Sequence, residues 1–232
     1  MNAHAPWSGE WAWLGRLPYV VAERLQAQVR DQVASGAAPD TFLLLEHEPV
    51  ITLGRSADVT NVLATPEELR QVGISVVRAS RGGDVTYHGP GQLVGYPIFR
   101  LRRGVRSHVT SMADAIISTL GLMGIDAHWR ESQPGVWVGD DKICAVGVRV
   151  QRRVATHGFA LNVTTDLDAF RTIVPCGLRH TGITSMVKCL GTSIEIDKIT
   201  HLLCREFARV FDMDLVEISA SSSRLQIANE NL

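Results

Sequence analysis

The sequence predicts a single α+β domain with a mixed β-sheet flanked by helices, and three observations carry that prediction. Segments with a helical period of 3.6 alternate with strand-like segments along the whole chain. No internal repeat and no Pro/Gly/Ser-rich linker divides it. A length of 232 residues with 45% hydrophobic content is enough to bury a sizeable core.

The elements follow in order. The run YVVAERLQAQVRDQV, residues 19–33, has a helical period, with Gly36 as its stop. DTFLLLEH and VITLGR read as a pair of strands around Glu48-Pro49. In TPEELRQVG, Thr65 is the expected N-cap, Pro66 the first helical residue and Glu68 the partner of a capping box. Residues 74–79 are strand-like, and residues 107–123 form an apolar-periodic helix. A β-rich stretch follows in AHWR, GVWVGDDKICAVGVRVQ and VATHGFALNV, with GDD as the turn before Lys142. Residues 197–211 read as a late amphipathic helix. The last fifth of the chain, from about residue 181, is expected to form a small helical lobe, and residues 216–232 a polar, mobile tail.

Composition excludes several classes. No apolar run approaches the roughly 20 residues of a membrane span. The start, MNAHAPWSGEWAW, has neither the basic and apolar regions of a signal peptide nor an Arg-rich transit pattern, so the expected compartment is the cytoplasm. A net charge of −1 argues against nucleic-acid binding. Four cysteines (144, 176, 189 and 204) without CxxC spacing suggest reduced thiols, and Cys176-x3-His180 is too poor a signal for zinc, so no metal is expected.

Between residues 81 and 98, RGGDVTYHGPGQLVGYPI holds five glycines, two prolines and one histidine. Glycine is used where backbone turns sharply or lies close against something else. This segment is therefore either a set of tight turns or a surface that presents main chain to a ligand. Cys176 lies between Pro175 and Gly177 in a stretch of neither period. It is either a buried structural thiol or an exposed nucleophile on a turn. Cys144 alternates with Val146 and Val148 on a strand and reads as core, and Cys189 and Cys204 flank apolar helix faces.

The chain has only three lysines among 23 basic residues, and Lys142 begins the strand that holds Cys144. It is either a solvated lysine paired with Asp140 or Asp141, or an ammonium beside a nucleophilic thiol, which would favour the thiolate. Cys144, about 6.6 Å further along the strand, is a poor partner, and Cys176 a better one. His88 and His157, each before a glycine, raise a rival Cys-His dyad.

Taken together, these segments resemble the lipoyl(octanoyl) transferase family. Its R-G-G-x-x-T-aromatic-H-x-x-G-Q hallmark is matched by Arg81, Gly82, Gly83, Thr86, Tyr87, His88, Gly91 and Gln92, and continues into Gly95-Tyr96-Pro97. Its lysine followed by A-x-G is similar to Lys142 with Ala145, Val146 and Gly147. Its H-G-x-A-x-N corresponds to His157, Gly158, Ala160 and Asn162, and its I-x-P-C-G to Ile173, Pro175, Cys176 and Gly177. The resemblance spans at least residues 42–190.

The resemblance implies the fold of the biotin/lipoate protein ligase catalytic domain, here over residues 1–215. It implies transfer of an octanoyl group from octanoyl-acyl carrier protein to a lysine of lipoyl domains, those of 2-oxoacid dehydrogenase complexes and of the glycine cleavage H protein. It assigns Cys176 as the thioester-forming nucleophile and Lys142 as the group that lowers its pKa and accepts its proton. It places Arg81, Gly82, Gly83, Asp84, Val85, Thr86, Tyr87, His88, Ala145, Val146, Gly147, Gly158, Phe159 and Ala160 around the acyl chain and its carbonyl. No cofactor is needed, since thioester exchange and aminolysis proceed without ATP, and a monomer is expected. The acidic carrier would dock on basic surface, either Arg100, Arg102, Arg103 and Arg106 or Arg149, Arg152 and Arg153. The competing activities are an ATP-dependent lipoate or biotin ligase on the same fold, a Cys-His thioester hydrolase, and a non-catalytic acyl-binding module.

Overall fold

The run FLLLEH is apolar at consecutive positions because its strand is covered on both faces. In the computed structural model, which describes residues 7–175 and 182–226, strand β2 (Asp40–His47) turns Phe42 and Leu44 to one side of a sheet and Leu43 and Leu45 to the other. Among the described residues that sheet has nine strands. They are β1 (Trp7–Leu17), β2, β6 (Gln92–Ile98), β7 (His128–Trp129), β8 (Gly135–Val138), β9 (Asp141–Gln151), β10 (Val154–Asn162), β11 (Gly182–Ile183) and β12 (Met213–Glu217). Their order is β12-β1-β2-β6-β10-β9-β8-β7, with β11 parallel to β9. β1 runs parallel to both β2 and β12, and the pairs from β2 through β6, β10, β9 and β8 to β7 are antiparallel, which makes the sheet mixed.

Helix α1 (Tyr19–Ser35) packs Ala22, Leu25, Val29 and Val33 on one face and ends at Gly36 in the left-handed conformation, as the sequence predicts. The other face carries α3 (Val105–Leu122) and α5 (Ile196–Phe211), with Phe207 stacked on Phe42 at 4.4 Å between ring centroids. α2 (Pro66–Gln71) begins with the full Thr65/Glu68 capping box. A second, three-stranded sheet of β4 (Ser75–Arg78), β3 (Val50–Leu53) and β5 (Val85–His88) packs over residues 167–173.

The α+β architecture with a mixed sheet is the one the sequence predicts, and it differs in local detail. β2 and β3 do not pair: the Glu48-Pro49 step carries the chain from the large sheet to the small one, where β3 joins β4 and β5. The helices after residue 181 form no lobe of their own, because Met186 of α4 (Met186–Leu190) and Ile199, Leu203 and Phe207 of α5 belong to the same core as α3 and the sheet. The expected tail is held as far as residue 226: β12 pairs with β1, and Leu225 is buried against α1.

Candidate functional site

The two sheets meet along the glycine-rich segment, and the predicted residues converge there. An inner cavity of about 60 Å³ is lined by Arg81, Gly82, Gly83, Asp84, Thr86, His88, Ala145, Val146, Gly147, Gly158, Phe159 and Ala160. Val85 and Tyr87 are also buried but belong to the core under the small sheet, where Tyr87 meets the Phe170 ring edge-on at 5.4 Å. The period of two along β5 explains the split: Thr86 and His88 face the cavity, and their neighbours face away. Of the residues that the family resemblance places around the acyl chain, these two therefore lie outside the lining of the inner cavity.

The glycines answer to close backbone approach. Gly83 has φ +86°, and the carbonyls of Arg81 and Gly83 accept from Arg55 N (3.0 Å) and Ser56 N (3.1 Å), tying the loop to the turn that follows β3. A Cβ on Gly158 would stand 2.3 Å from the carbonyl oxygen of Gly95, so only glycine lets β10 lie this close to β6 at the cavity wall. Arg81 is fixed by Thr52, donating to its carbonyl (2.8 Å) and its hydroxyl (2.7 Å). Asp84 anchors the loop by accepting from Asp58 N and Asn61 Nδ2.

The inner end is a buried polar network. His47 Nδ1 donates to Leu17 O (2.9 Å), which leaves Nε2 to accept from the Tyr96 hydroxyl (2.6 Å). His88 Nδ1 donates to Gln92 Oε1 (2.8 Å), and Gln92 Nε2 donates to Asn162 Oδ1 (2.9 Å). His157, at φ +57°, places Nε2 2.9 Å from the Ser80 hydroxyl, which donates to Glu23. Burial lowers the pKa of all three histidines, to about 4 for His47, to about 3 for His157 and well below the usual value for His88; the cationic Arg81 adds to the effect on the last two. Such weak bases are poor proton acceptors for a thiol at neutral pH, which disfavours the Cys-His hydrolase.

Lys142 is not the solvated lysine of a hairpin end. It is 9% exposed, its Nζ donates to Pro134 O (3.3 Å) and lies 4.9 Å from the Trp137 ring centroid, while Asp140 pairs with Arg130 instead. It stands between an outer vestibule of about 790 Å³, which shares Gly82, Gly83, Asp84, Val146 and Gly147 with the inner cavity, and a niche of about 20 Å³. Pro175 and Ile183 line that niche beside Lys142, and β11 runs parallel to the start of β9 through Ile183 and Lys142. Cys176 lies outside the described residues; its neighbour Pro175 is at the niche. Cys144 is fully buried, with its thiol pKa raised by burial, as the core reading requires. No group of three His, Cys, Asp or Glu residues among the described residues could hold a metal ion.

Tyr19, Val94, Tyr96 and Pro134 also line the inner cavity and were not picked out as site residues from the sequence. Tyr96 carried a signal, lying in the Gly-Tyr-Pro continuation of the hallmark. Tyr19 carried none, since it opens a helix whose period explains it as core.

The chain matches the family described as "Lipoyl protein ligase A/B catalytic domain" over residues 18–208. An octanoyltransferase of Solibacter usitatus (strain Ellin6076) is 48% identical over 206 residues, covering 88% of this chain and 93% of the relative. One of Koribacter versatilis (strain Ellin345) is 45% identical over 206 residues, covering 85% and 82%. Among solved structures, a lipoate-protein ligase A bound with ATP superimposes with a TM-score of 0.80 at 18% identity, over 94% of this chain and 91% of that one, which shows the common fold. Together with the convergence of the glycine-rich loop on β9 and β10, these matches make the chain a member of the lipoyl protein ligase A/B catalytic domain family, among its octanoyltransferases.

Proposed function

We propose that this protein moves an octanoyl group from octanoyl-acyl carrier protein to a lysine of a lipoyl domain through a thioester on Cys176. One observation carries this reading in a chain 48% identical to an octanoyltransferase. A cavity with mostly apolar walls adjoins, through Thr86, Ala145 and Ala160, a niche lined by a buried lysine and by Pro175 and Ile183. The donor's arm enters by the vestibule and its acyl chain occupies the inner cavity. The Cys176 thiolate attacks the thioester carbonyl carbon, the C=O electron pair moves to oxygen, and collapse expels the donor thiolate, which takes a proton from Lys142. The acceptor lysine amine then attacks the enzyme thioester and gives a proton to the now neutral Lys142, forming an amide and returning the thiolate beside a protonated Lys142. Thioester exchange costs little, and the amide is the more stable product, so neither ATP nor a metal is required.

Lys142 lies in low dielectric, where an ammonium favours a nearby thiolate more strongly than in water. Intact-protein mass spectrometry after incubation with octanoyl-acyl carrier protein tests the assignment. The wild type gains one octanoyl group and loses it on addition of an apo lipoyl domain; Cys176→Ala gains none, and Lys142→Ala gains it far more slowly. An adduct that persists in Cys176→Ala moves the chemistry to another thiol. Label that appears only with ATP and free octanoate makes the protein a ligase.

A further inference from the structure

The niche beside Lys142 is small, with mostly apolar walls into which a few polar side chains reach. At about 20 Å³ it holds one water-sized group, and it is lined by Thr86, Gln92, Asn162 and Lys142 with Ala145, Ala160, Phe170, Pro175 and Ile183. Thr86 also lines the inner acyl cavity, so its side chain stands at the junction of the two spaces. The residue is 7% exposed, and its hydroxyl makes no hydrogen bond with any described residue. Such a hydroxyl, facing a void, has a proton to give.

The second donor is oriented by a relay. Arg81 donates to the Thr52 hydroxyl, so that hydroxyl turns its own proton toward His88 Nε2, at 3.4 Å. His88 then donates through Nδ1 to Gln92 Oε1, which obliges Gln92 to present its amide nitrogen to Asn162 Oδ1. Asn162 is thereby fixed with Nδ2 toward Thr184 O, 3.0 Å away, a bond that uses one of its two N–H groups. Thr184 N in turn donates to the carbonyl of Lys142 (3.1 Å), tying this amide to the lysine strand.

We propose that this niche is the oxyanion site of the reaction, with the Thr86 hydroxyl and the remaining Asn162 N–H as its side-chain donors. The inference rests on the acyl-transfer reading. When a nucleophile adds to the thioester carbonyl, the C=O electron pair becomes an alkoxide. Thr86 and Asn162 hold that oxygen until the C=O bond reforms and the leaving group departs; neither residue gains or loses a proton overall. Preorganised donors in a water-excluded site are worth far more than in water, and losing one lowers turnover by about 10²–10³-fold.

The test compares Thr86→Val, which keeps the shape and removes the donor, with Thr86→Ser, which keeps the donor. Single-turnover acylation by octanoyl-acyl carrier protein is followed by mass spectrometry. Thr86→Val acylates on the order of 100-fold more slowly with KM and melting temperature unchanged, and Thr86→Ser recovers most of the rate. Octanal, which adds a thiol to give a tetrahedral hemithioacetal, inhibits wild type and Thr86→Ser better than Thr86→Val. Octanoate binds all three alike. Acylation of Thr86→Val at the wild-type rate, or equal inhibition by octanal, overturns the oxyanion assignment while leaving the transferase reading intact. A wild type that never acylates overturns that reading instead.

Discussion

Single residues at this site are defined by what burial does to their charge. His47 and His157 are folded in as neutral rings, with pKa values lowered to about 4 and about 3 by desolvation, and His108 on the far side of the sheet is likewise lowered to about 4. The unfolded chain takes up protons near pH 6.5, before the folded one does. The stability these rings contribute is therefore complete above about pH 6.5 and is lost as pH falls toward 4. At about 1.4 kcal/mol per pKa unit, a histidine lowered from 6.5 to about 4 accounts for about 3 kcal/mol across that window, as an upper bound. The expected outcome is a melting temperature several degrees lower at pH 5 than at pH 7, with His157→Gln showing a shallower fall. A flat profile from pH 7 to pH 5 would contradict the neutral assignment.

At the scale of elements, the acyl site is assembled by strands and the approach to it by a helix. α3 starts at Val105 without a side-chain cap, and its first turn sets Arg106 at the vestibule that Lys142 also lines. The other arginines expected to meet a carrier are engaged elsewhere or lie off the vestibule. Arg100 donates to Val33 O, Arg102 pairs with Asp40 at 3.0 Å and lies over the Trp7 ring, and Arg152 faces Asp31. Arg106 is highly exposed, and its 3.8 Å contact with Glu131 holds it weakly. Charge reversal by Arg106→Glu is expected to raise KM for octanoyl-acyl carrier protein severalfold, to flatten the salt dependence and to leave kcat unchanged; reversal at Arg102 should act on stability first. An unchanged salt dependence of kcat/KM for Arg106→Glu would remove this residue from the docking surface. The sequence made most of these elements legible because their periods are clean, as in α1, and their caps are explicit, as at Thr65. It could not reveal that β2 and β3 part company, since Glu48-Pro49 looks alike whether it turns a hairpin or changes sheets. Nor could it divide residues 81–88 into cavity and core, because the register of β5 is set by β3 across the sheet. Niche partners such as Gln92, Asn162 and Thr184 are distant in sequence and meet only through the fold.

At the scale of the whole molecule, the two ends of the described chain stabilise one another. β1 was not expected as a strand, because Gly9 and Gly15 interrupt its pattern and the register with β2 shifts between Trp13 and Arg16. It is specified by its neighbours on both sides, pairing in parallel with β2 and with β12, so the outer part of the sheet joins the first strand to one that follows the last helix. Beyond β12 the chain crosses α1. Gln28 donates to the carbonyls of Arg224 and Gln226, Arg224 pairs with Glu10, and Leu225 is 6% exposed among Ala22, Leu25 and the strands beneath. Burying one leucine is worth about 1.5–3 kcal/mol, and the partly exposed ion pair adds little. A chain ending at Gln226 retains every one of these contacts, whereas a chain ending at Ser221 loses Leu225 and both Gln28 bonds. The shorter chain is therefore expected to melt about 4–10 °C lower, with acyl transfer per folded molecule unchanged, because none of these residues lines the cavity, the niche or the vestibule. Equal melting temperatures for the two truncations would show that residues 222–226 contribute nothing to the fold. A loss of transfer in a molecule that is still folded would show that the α1 face communicates with the site through Tyr19 and Glu23.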